Sequence, residues 1–173
     1  MVDLFVTPSI IHAYTLKPEW GVRAYYNTLT GNREPLNYFI RRGLYLHRKL
    51  GYNNNVRFYR TVVINCNGGE KVLAVEGTPD HIEPLKELKT CHPDKLNDPS
   101  FERSVDAGAL QLQGYMFLTG YECGYLVFAD RNTGNELLEI TVPRNDRRFL
   151  NTVLEFFDYI NRIPRLDEYL KRE

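Results

Sequence analysis

The sequence predicts an α/β fold in which a mixed central sheet is covered by helices, and three observations carry that expectation. Helical spacing of apolar residues, with proline-opened starts, runs through the first fifty or so positions. From Val56 the pattern changes to β-branched and aromatic residues interrupted by an Asn/Gly turn. Helical and strand patterns then alternate, so the order reads helices, three strands, helix, two strands, helix. No internal repeat, linker or low-complexity run interrupts it.

Each element has a local reason. Thr7-Pro8-Ser9 is a helix start, with Thr7 as the cap and Pro8 at the first helical position, where its missing N–H costs little. Pro18 opens a second helix through about Leu29, and Gly31-Asn32 breaks it. The most legible helix runs from about Pro35 to Leu50, where Leu36, Phe39, Ile40, Leu44 and His47 follow steps of three and four; His47 is thereby expected on the buried face. Val56 to Ile64 and Lys71 to Glu76 form a hairpin about Asn65-Cys66-Asn67-Gly68-Gly69. Gly77-Thr78-Pro79-Asp80 punctuates its second strand, and Leu85 to Cys91 is a third. His92 to Ser104, polar and carrying two prolines, reads as an exposed loop bordering a substrate path. A helix from about Val105 to Thr119 follows, then strands Tyr125 to Ala129 and Leu137 to Val142 about Asn132-Thr133-Gly134-Asn135. An amphipathic helix from about Asp146 to Ile163 places Phe149, Val153, Phe156, Ile160 and Ile163 inward.

A chain of 173 residues, 43% of them hydrophobic, can bury one ordinary core, so one domain over 1–173 is expected, with a helical region over 1–55 and the strand-bearing core over 56–173. Formal charge is zero. Attraction to nucleic acid would therefore come from local clusters such as Arg41-Arg42 with Arg48-Lys49, or Arg144 with Arg147-Arg148. Cys66, Cys91 and Cys123 are odd in number and widely spaced, which supports neither a disulfide framework nor a zinc ribbon. With no basic segment leading an apolar run and no membrane-length apolar stretch, the expectation is a soluble, unprocessed protein of the cytoplasm.

The chemistry concentrates between Asp80 and Lys89. Residues two apart on a strand face the same side, so Glu87 and Lys89 project together while Leu88 points into the core. Glu87 and Asp80 supply two carboxylates for a hard divalent cation, and Lys89 supplies an ammonium that orients an attacking water or stabilises charge developing on a phosphate. Alone, E-x-K also describes an exposed strand ion pair. His47 follows Gly43 by one helical turn, and that glycine is expected to let another element approach; the competing reading is a core histidine with satisfied ring nitrogens. Gln111 and Tyr115 share a helix face, where an amide and a phenol can touch phosphate oxygens or waters, or simply face solvent and an interface.

Five motifs in order, the opening Thr7-Pro8-Ser9-Ile10, Gly43-x-x-x-His47, Gly77-x-x-Asp80, Glu87-x-Lys89 and the Gln111 and Tyr115 of Q-x-x-x-Y, resemble the RecB-like branch of the PD-(D/E)XK nucleases, which includes CRISPR-associated exonucleases. The resemblance runs over most of the chain. It implies a restriction-endonuclease-like core, metal ligands at His47, Asp80 and Glu87 with the Leu88 carbonyl as a further contact, and Lys89 as the catalytic lysine. It implies Mg2+ or Mn2+ as cofactor and DNA as partner, with Asp80, Glu87 and Lys89 as the catalytic set. Gln111 and Tyr115, joined by Arg41 and Arg42 from the basic cluster, are the expected substrate contacts.

Two departures bear on this. Many relatives hold an iron–sulfur cluster on one cysteine near the N-terminus and three near the C-terminus. Here Leu16-Lys17-Pro18-Glu19 and Arg165-Leu166-Asp167-Glu168-Tyr169 stand in those regions, so no cluster is expected, and packing among Trp20, Tyr25, Phe156 and Tyr159 is expected to join the ends. The gap between Asp80 and Glu87 is short, which demands a tight turn, with Glu76 or Glu83 as the substitute carboxylate if Asp80 is displaced. The leading expectation is a metal-dependent deoxyribonuclease, an exonuclease on single strands or DNA ends. The alternatives are a structure-selective or restriction-type endonuclease, and a non-catalytic DNA-binding or partner module of the same fold.

Overall fold

The structure, a computed structural model, describes residues 2–32, 38–66 and 69–164. Pro35, Leu36 and the segment from Arg165 onward, which the sequence reading used, lie outside the described residues, as do Asn67 and Gly68 and the side chain of Phe39. In chain order the elements are β1 (Leu4–Val6), α1 (Pro8–Leu16), α2 (Pro18–Thr30), α3 (Tyr38–Lys49), β2 (Phe58–Cys66), β3 (Gly69–Gly77) and β4 (Lys86–Cys91). A 3-10 turn (Pro93–Asn97), α4 (Phe101–Thr119), β5 (Cys123–Asp130), β6 (Glu136–Pro143) and α5 (Asp146–Asn161) follow.

The fold class is α/β, as expected, but among the described residues the strands form two mixed three-stranded sheets rather than one central sheet, in the orders β1-β3-β2 and β4-β5-β6. In the first sheet β1 runs parallel to β3, while β2 and β3 form the antiparallel hairpin. In the second, β4 is parallel to β5 and β6 antiparallel to it. β5 lies in the middle, so Leu126, Val127, Phe128 and Ala129 are all buried and its sequence is an apolar run rather than an alternation. β1 escaped the sequence reading because three residues are too few to show a period.

Between the sheets runs α4, buried continuously from Ala107 to Phe117. Such all-round burial explains its weak amphipathic pattern: this is a central helix and not a surface one. Its glycines permit close approach, since a Cβ at Gly114 would lie 2.6 Å from the Phe149 ring and one at Gly108 would lie 2.8 Å from Leu126. The helix stops at Gly120, whose φ of 84° is left-handed and favours glycine. It starts four residues before the expected Val105, and the expected loop before it holds a 3-10 turn capped by His92.

One core cluster joins α1, α2, the first sheet and α5 through Val6, Ile10, Val22, Leu73, Phe149 and Phe156. Tyr14 packs on Phe156 at 5.2 Å and on Tyr159 at 5.9 Å, and Tyr25 packs on Phe156 at 5.6 Å, so the N-terminal helices dock on α5 by aromatic burial. Trp20, expected in this group, is 54% exposed, and Tyr14 takes its place. A second cluster, including Leu85, Leu112, Met116, Leu126 and Phe128, fills the space between α4 and the second sheet. No helix of the described residues is long and apolar enough to cross a membrane.

Candidate active site

The Asp80 turn is fixed before any chemistry is considered. The Asn54 backbone N–H donates to the Asp80 carbonyl at 3.1 Å, and its side-chain amide donates to the Pro79 carbonyl at 3.1 Å. His81 and Lys86 then exchange backbone bonds of 3.2 and 3.0 Å, closing the short gap as the tight turn the spacing demands. Asp80 Oδ2 accepts the Leu88 N–H at 2.8 Å, so the carboxylate lies against β4 and is not displaced. The substitute carboxylates are elsewhere: Glu76 pairs with Arg57, and Glu83 is exposed.

From β4, Glu87 and Lys89 project to one side while Leu88 is buried against Val127 and Ala129. The Lys89 ammonium donates to Glu87 Oε1 at 2.8 Å and to Gln111 Oε1 at 2.6 Å. The Gln111 amide in turn donates to Tyr115 Oη at 3.1 Å and to Ser9 Oγ at 3.2 Å. Gln111 and Tyr115 are thus buried beneath Lys89, so the competing reading of a solvent-facing Gln does not describe this helix face. Gly77 makes room for this stack, since a Cβ there would fall 2.8 Å from Tyr115 Cε1 and 3.0 Å from Pro8.

His47 Nδ1 lies 3.4 Å from Asp80 Oδ1. Burial alone would lower this imidazole, but the hydrogen bond and charge of Asp80, with the charge of Glu87, outweigh it and raise His47 above the ordinary value. The apolar face expected to carry His47 inward differs from the observed one: Leu46 is buried, while Ile40 and Leu44 are 48% and 44% exposed. Ile40, Gly43 and His47 instead border a cavity. A Cβ at Gly43 would meet only Thr90 Oγ1, at 3.6 Å, so the glycine is not required for close approach.

That cavity, about 490 Å³, is lined by His47, Leu88 and Lys89 on one side and by Lys95, Ser100, Phe101 and Ser104 on the other. The second group comes from the segment expected to border a substrate path. Arg41 is exposed and is not among the lining residues. Arg42 is engaged, donating to the carbonyls of Arg131 at 3.3 Å and Asn132 at 2.8 Å, so it ties α3 to the β5–β6 turn. Of the other basic cluster, Arg144 is bound to Asp146 and Glu122, and Arg148 to Asp106. Two residues that the sequence reading passed over as site candidates are Ser9 and His12. Both sit on α1, three residues and so about one turn apart on one face, and no motif in the sequence pointed to them.

Glu87 is 3% exposed, its Oε2 has no hydrogen-bond partner, and burial, against the pull of Lys89, pushes its carboxyl up to about 7. Such an orphaned buried oxygen beside Asp80 is the feature a hard cation would satisfy. Among the described residues no group of three His, Cys, Asp or Glu side chains forms a cage of its own. The expected ligand set of His47, Asp80 and Glu87 is thus not assembled as a three-ligand site; what the residues offer a hard cation is two carboxylates, with its other ligands left to water and substrate. Cys66, Cys91 and Cys123 are free thiols distributed over β2, β4 and β5.

No family model matches the chain, and no curated protein matches it. Among solved structures, the crystal structure of SSO0001 is similar at a TM-score of 0.56 with 17% identity, over 92% of this chain and 78% of that one. An alkaline exonuclease from Laribacter hongkongensis is similar at a TM-score of 0.44 with 17% identity, over 96% of this chain and 91% of its own. The second likeness is too distant to carry an argument, and the first, at this identity, is a likeness of fold alone.

Proposed function

We propose that the protein is a divalent-cation-dependent deoxyribonuclease, a member of the RecB-like branch acting as an exonuclease on single strands or DNA ends. The observation that carries this reading is the grouping of Asp80, Glu87 and Lys89, of which Lys89 lines a cavity beside His47 and Leu88, with Glu87 Oε2 buried and unpartnered.

In this reading Asp80, Glu87 and the Leu88 carbonyl hold Mg2+ or Mn2+, with His47 as a further donor once its proton leaves. The cation, when bound, polarises the phosphate and lowers the pKa of a bound water. Lys89, held by Glu87 and Gln111, places positive charge beside the scissile phosphate and orients the attacking water. Gln111, Tyr115 and Ser9 act through Lys89 as positioning residues. The exposed Arg41 is left to contact the backbone of the substrate, whereas Arg42 is already committed to turn carbonyls.

The experiment is cleavage of linear single-stranded DNA with magnesium or manganese, with and without chelator, beside a circular single strand. Linear DNA is degraded only with metal, and the circle survives. Cleavage in excess chelator refutes the metal-dependent reading, and cleavage of the circle refutes exonuclease action. Calcium binds but supports little turnover, because its looser coordination positions the reactants less strictly.

A further inference from the structure

We propose that His12 is a substrate-contact residue of this site, its imidazole N–H donating to a non-bridging oxygen of the phosphodiester that Lys89 faces. The proposal rests on the nuclease reading and adds to it a residue outside every motif that suggested it.

The placement follows from α1. Ser9, His12 and Leu16 lie at helical steps of three and four and so share a face. Ser9 fixes that face, because its hydroxyl accepts from the Gln111 amide whose oxygen holds Lys89. One turn further on, His12 and Lys89 line the same cavity, one from α1 and the other from β4. The His12 ring is partly buried and makes no hydrogen bond to another described residue. Neither ring nitrogen is fully buried, so a donor and an acceptor stay open to the cavity, where water or an entering phosphate oxygen can meet them.

The electrostatics agree. Burial, with a smaller push from the charge of Lys89, lowers His12 to about 3, so the ring is neutral at neutral pH. A neutral imidazole donates one hydrogen bond without adding a second full positive charge beside Lys89. It is thus suited to grip a phosphate oxygen while the charge stabilisation stays with the lysine and the cation.

The test compares His12→Leu, which keeps bulk but removes both nitrogens, with His12→Asn and His12→Gln, which restore a donor. Three quantities are read: the melting temperature, binding of a phosphorothioate oligonucleotide in calcium by fluorescence anisotropy, and KM and kcat for single-stranded DNA in magnesium. His12→Leu is expected to melt at or above the wild-type temperature yet to bind and turn over at least about tenfold less well, the worth of one hydrogen bond to a charged group. One of the amide variants recovers most of that loss. If His12→Leu stays within about twofold in both binding and kcat/KM, the proposal is overturned while the nuclease reading stands. If the wild type cleaves no DNA but His12→Leu still loses oligonucleotide binding, the nuclease reading falls and the contact survives. Should the variants fail to fold, the ring nitrogens of wild-type His12 are followed by NMR as the oligonucleotide is added. An unmoved His12 signal at saturation overturns the proposal.

Discussion

Glu87→Gln is expected to make the metal-free protein more stable while abolishing cleavage. The wild-type carboxylate is 3% exposed with one oxygen unpartnered, and its carboxyl is pushed from an ordinary 4.5 up to about 7. A raised carboxyl contributes stability that is fully present below 4.5 and lost as pH rises through about 7. At pH 8 the ionised form therefore costs on the order of 3 kcal/mol relative to an unperturbed carboxyl. Glutamine, like the protonated acid, removes that cost, and the pull of Lys89 is already contained in the value of about 7. The net gain is therefore on the order of 3 kcal/mol at pH 8 and close to zero near pH 4.5, where both side chains are neutral. Urea denaturation in chelator at the two pH values measures it. Adding manganese at about a hundred times its dissociation constant then stabilises the wild type by about 2.7 kcal/mol and the variant hardly at all. A Glu87→Gln protein that loses 1 kcal/mol or more at pH 8 in chelator would refute the reasoning, because Glu87 and Lys89 would then be a structural ion pair.

Lys89→Ala is expected to abolish cleavage with manganese binding largely kept, whereas Asp80→Ala loses both; calorimetric titration separates them, and equal metal loss in the two would make Lys89 structural. Stability follows His12 in the acid range: its lowered pKa means a contribution present above 6.5 and lost as pH falls toward about 3, and the pH slope of urea midpoints between these values flattens in His12→Leu. Gly77→Ala is expected to cost about 1–3 kcal/mol by overpacking Tyr115 and Pro8. Gly43→Ala, with only Thr90 Oγ1 at 3.6 Å, is neutral or gains up to about 1 kcal/mol of helix propensity; thermal melts of the two decide. Joint replacement of Cys66, Cys91 and Cys123 by Ser or Ala leaves activity near wild type and the protein colourless, and iron in the purified wild type would contradict this.

The hairpin, α1 and α5 were legible because their signals are local. Thr7 caps α1 by accepting the Ile10 N–H at 3.2 Å, and Asn145 caps α5 by accepting that of Arg148 at 2.9 Å. The Asp80, Glu87 and Lys89 arrangement was legible too, since strand alternation and a tight turn fix it without distant partners. What failed depended on neighbours far along the chain. Leu46 is buried and Leu44 exposed because α3 meets β4 and the β5–β6 turn on an unforeseen side, held there by Arg42. The burial of Gln111 and Tyr115 was not legible because helical spacing does not reveal that α4 is enclosed by two sheets. The division of the strands into two sheets was hidden for the same reason: pairing is long-range, and a three-residue β1 leaves no period to read.

That division places the chemistry on a seam. Asp80 follows the last strand of the first sheet and Glu87 and Lys89 belong to the second, so one carboxylate-to-backbone bond, Asp80 to Leu88, spans a gap where ladder pairing is otherwise confined to His81 and Lys86. Opening of this seam would scatter the reacting groups while each sheet and its own core persisted, a local transition of far smaller free energy than global unfolding. If the proposed function holds, activity is expected to report on the joint rather than on the halves and to fade at denaturant concentrations where circular dichroism still records an intact fold. Under the proposed function Asp80 is both a reagent and a fastener, and a substitution there disturbs both duties at once.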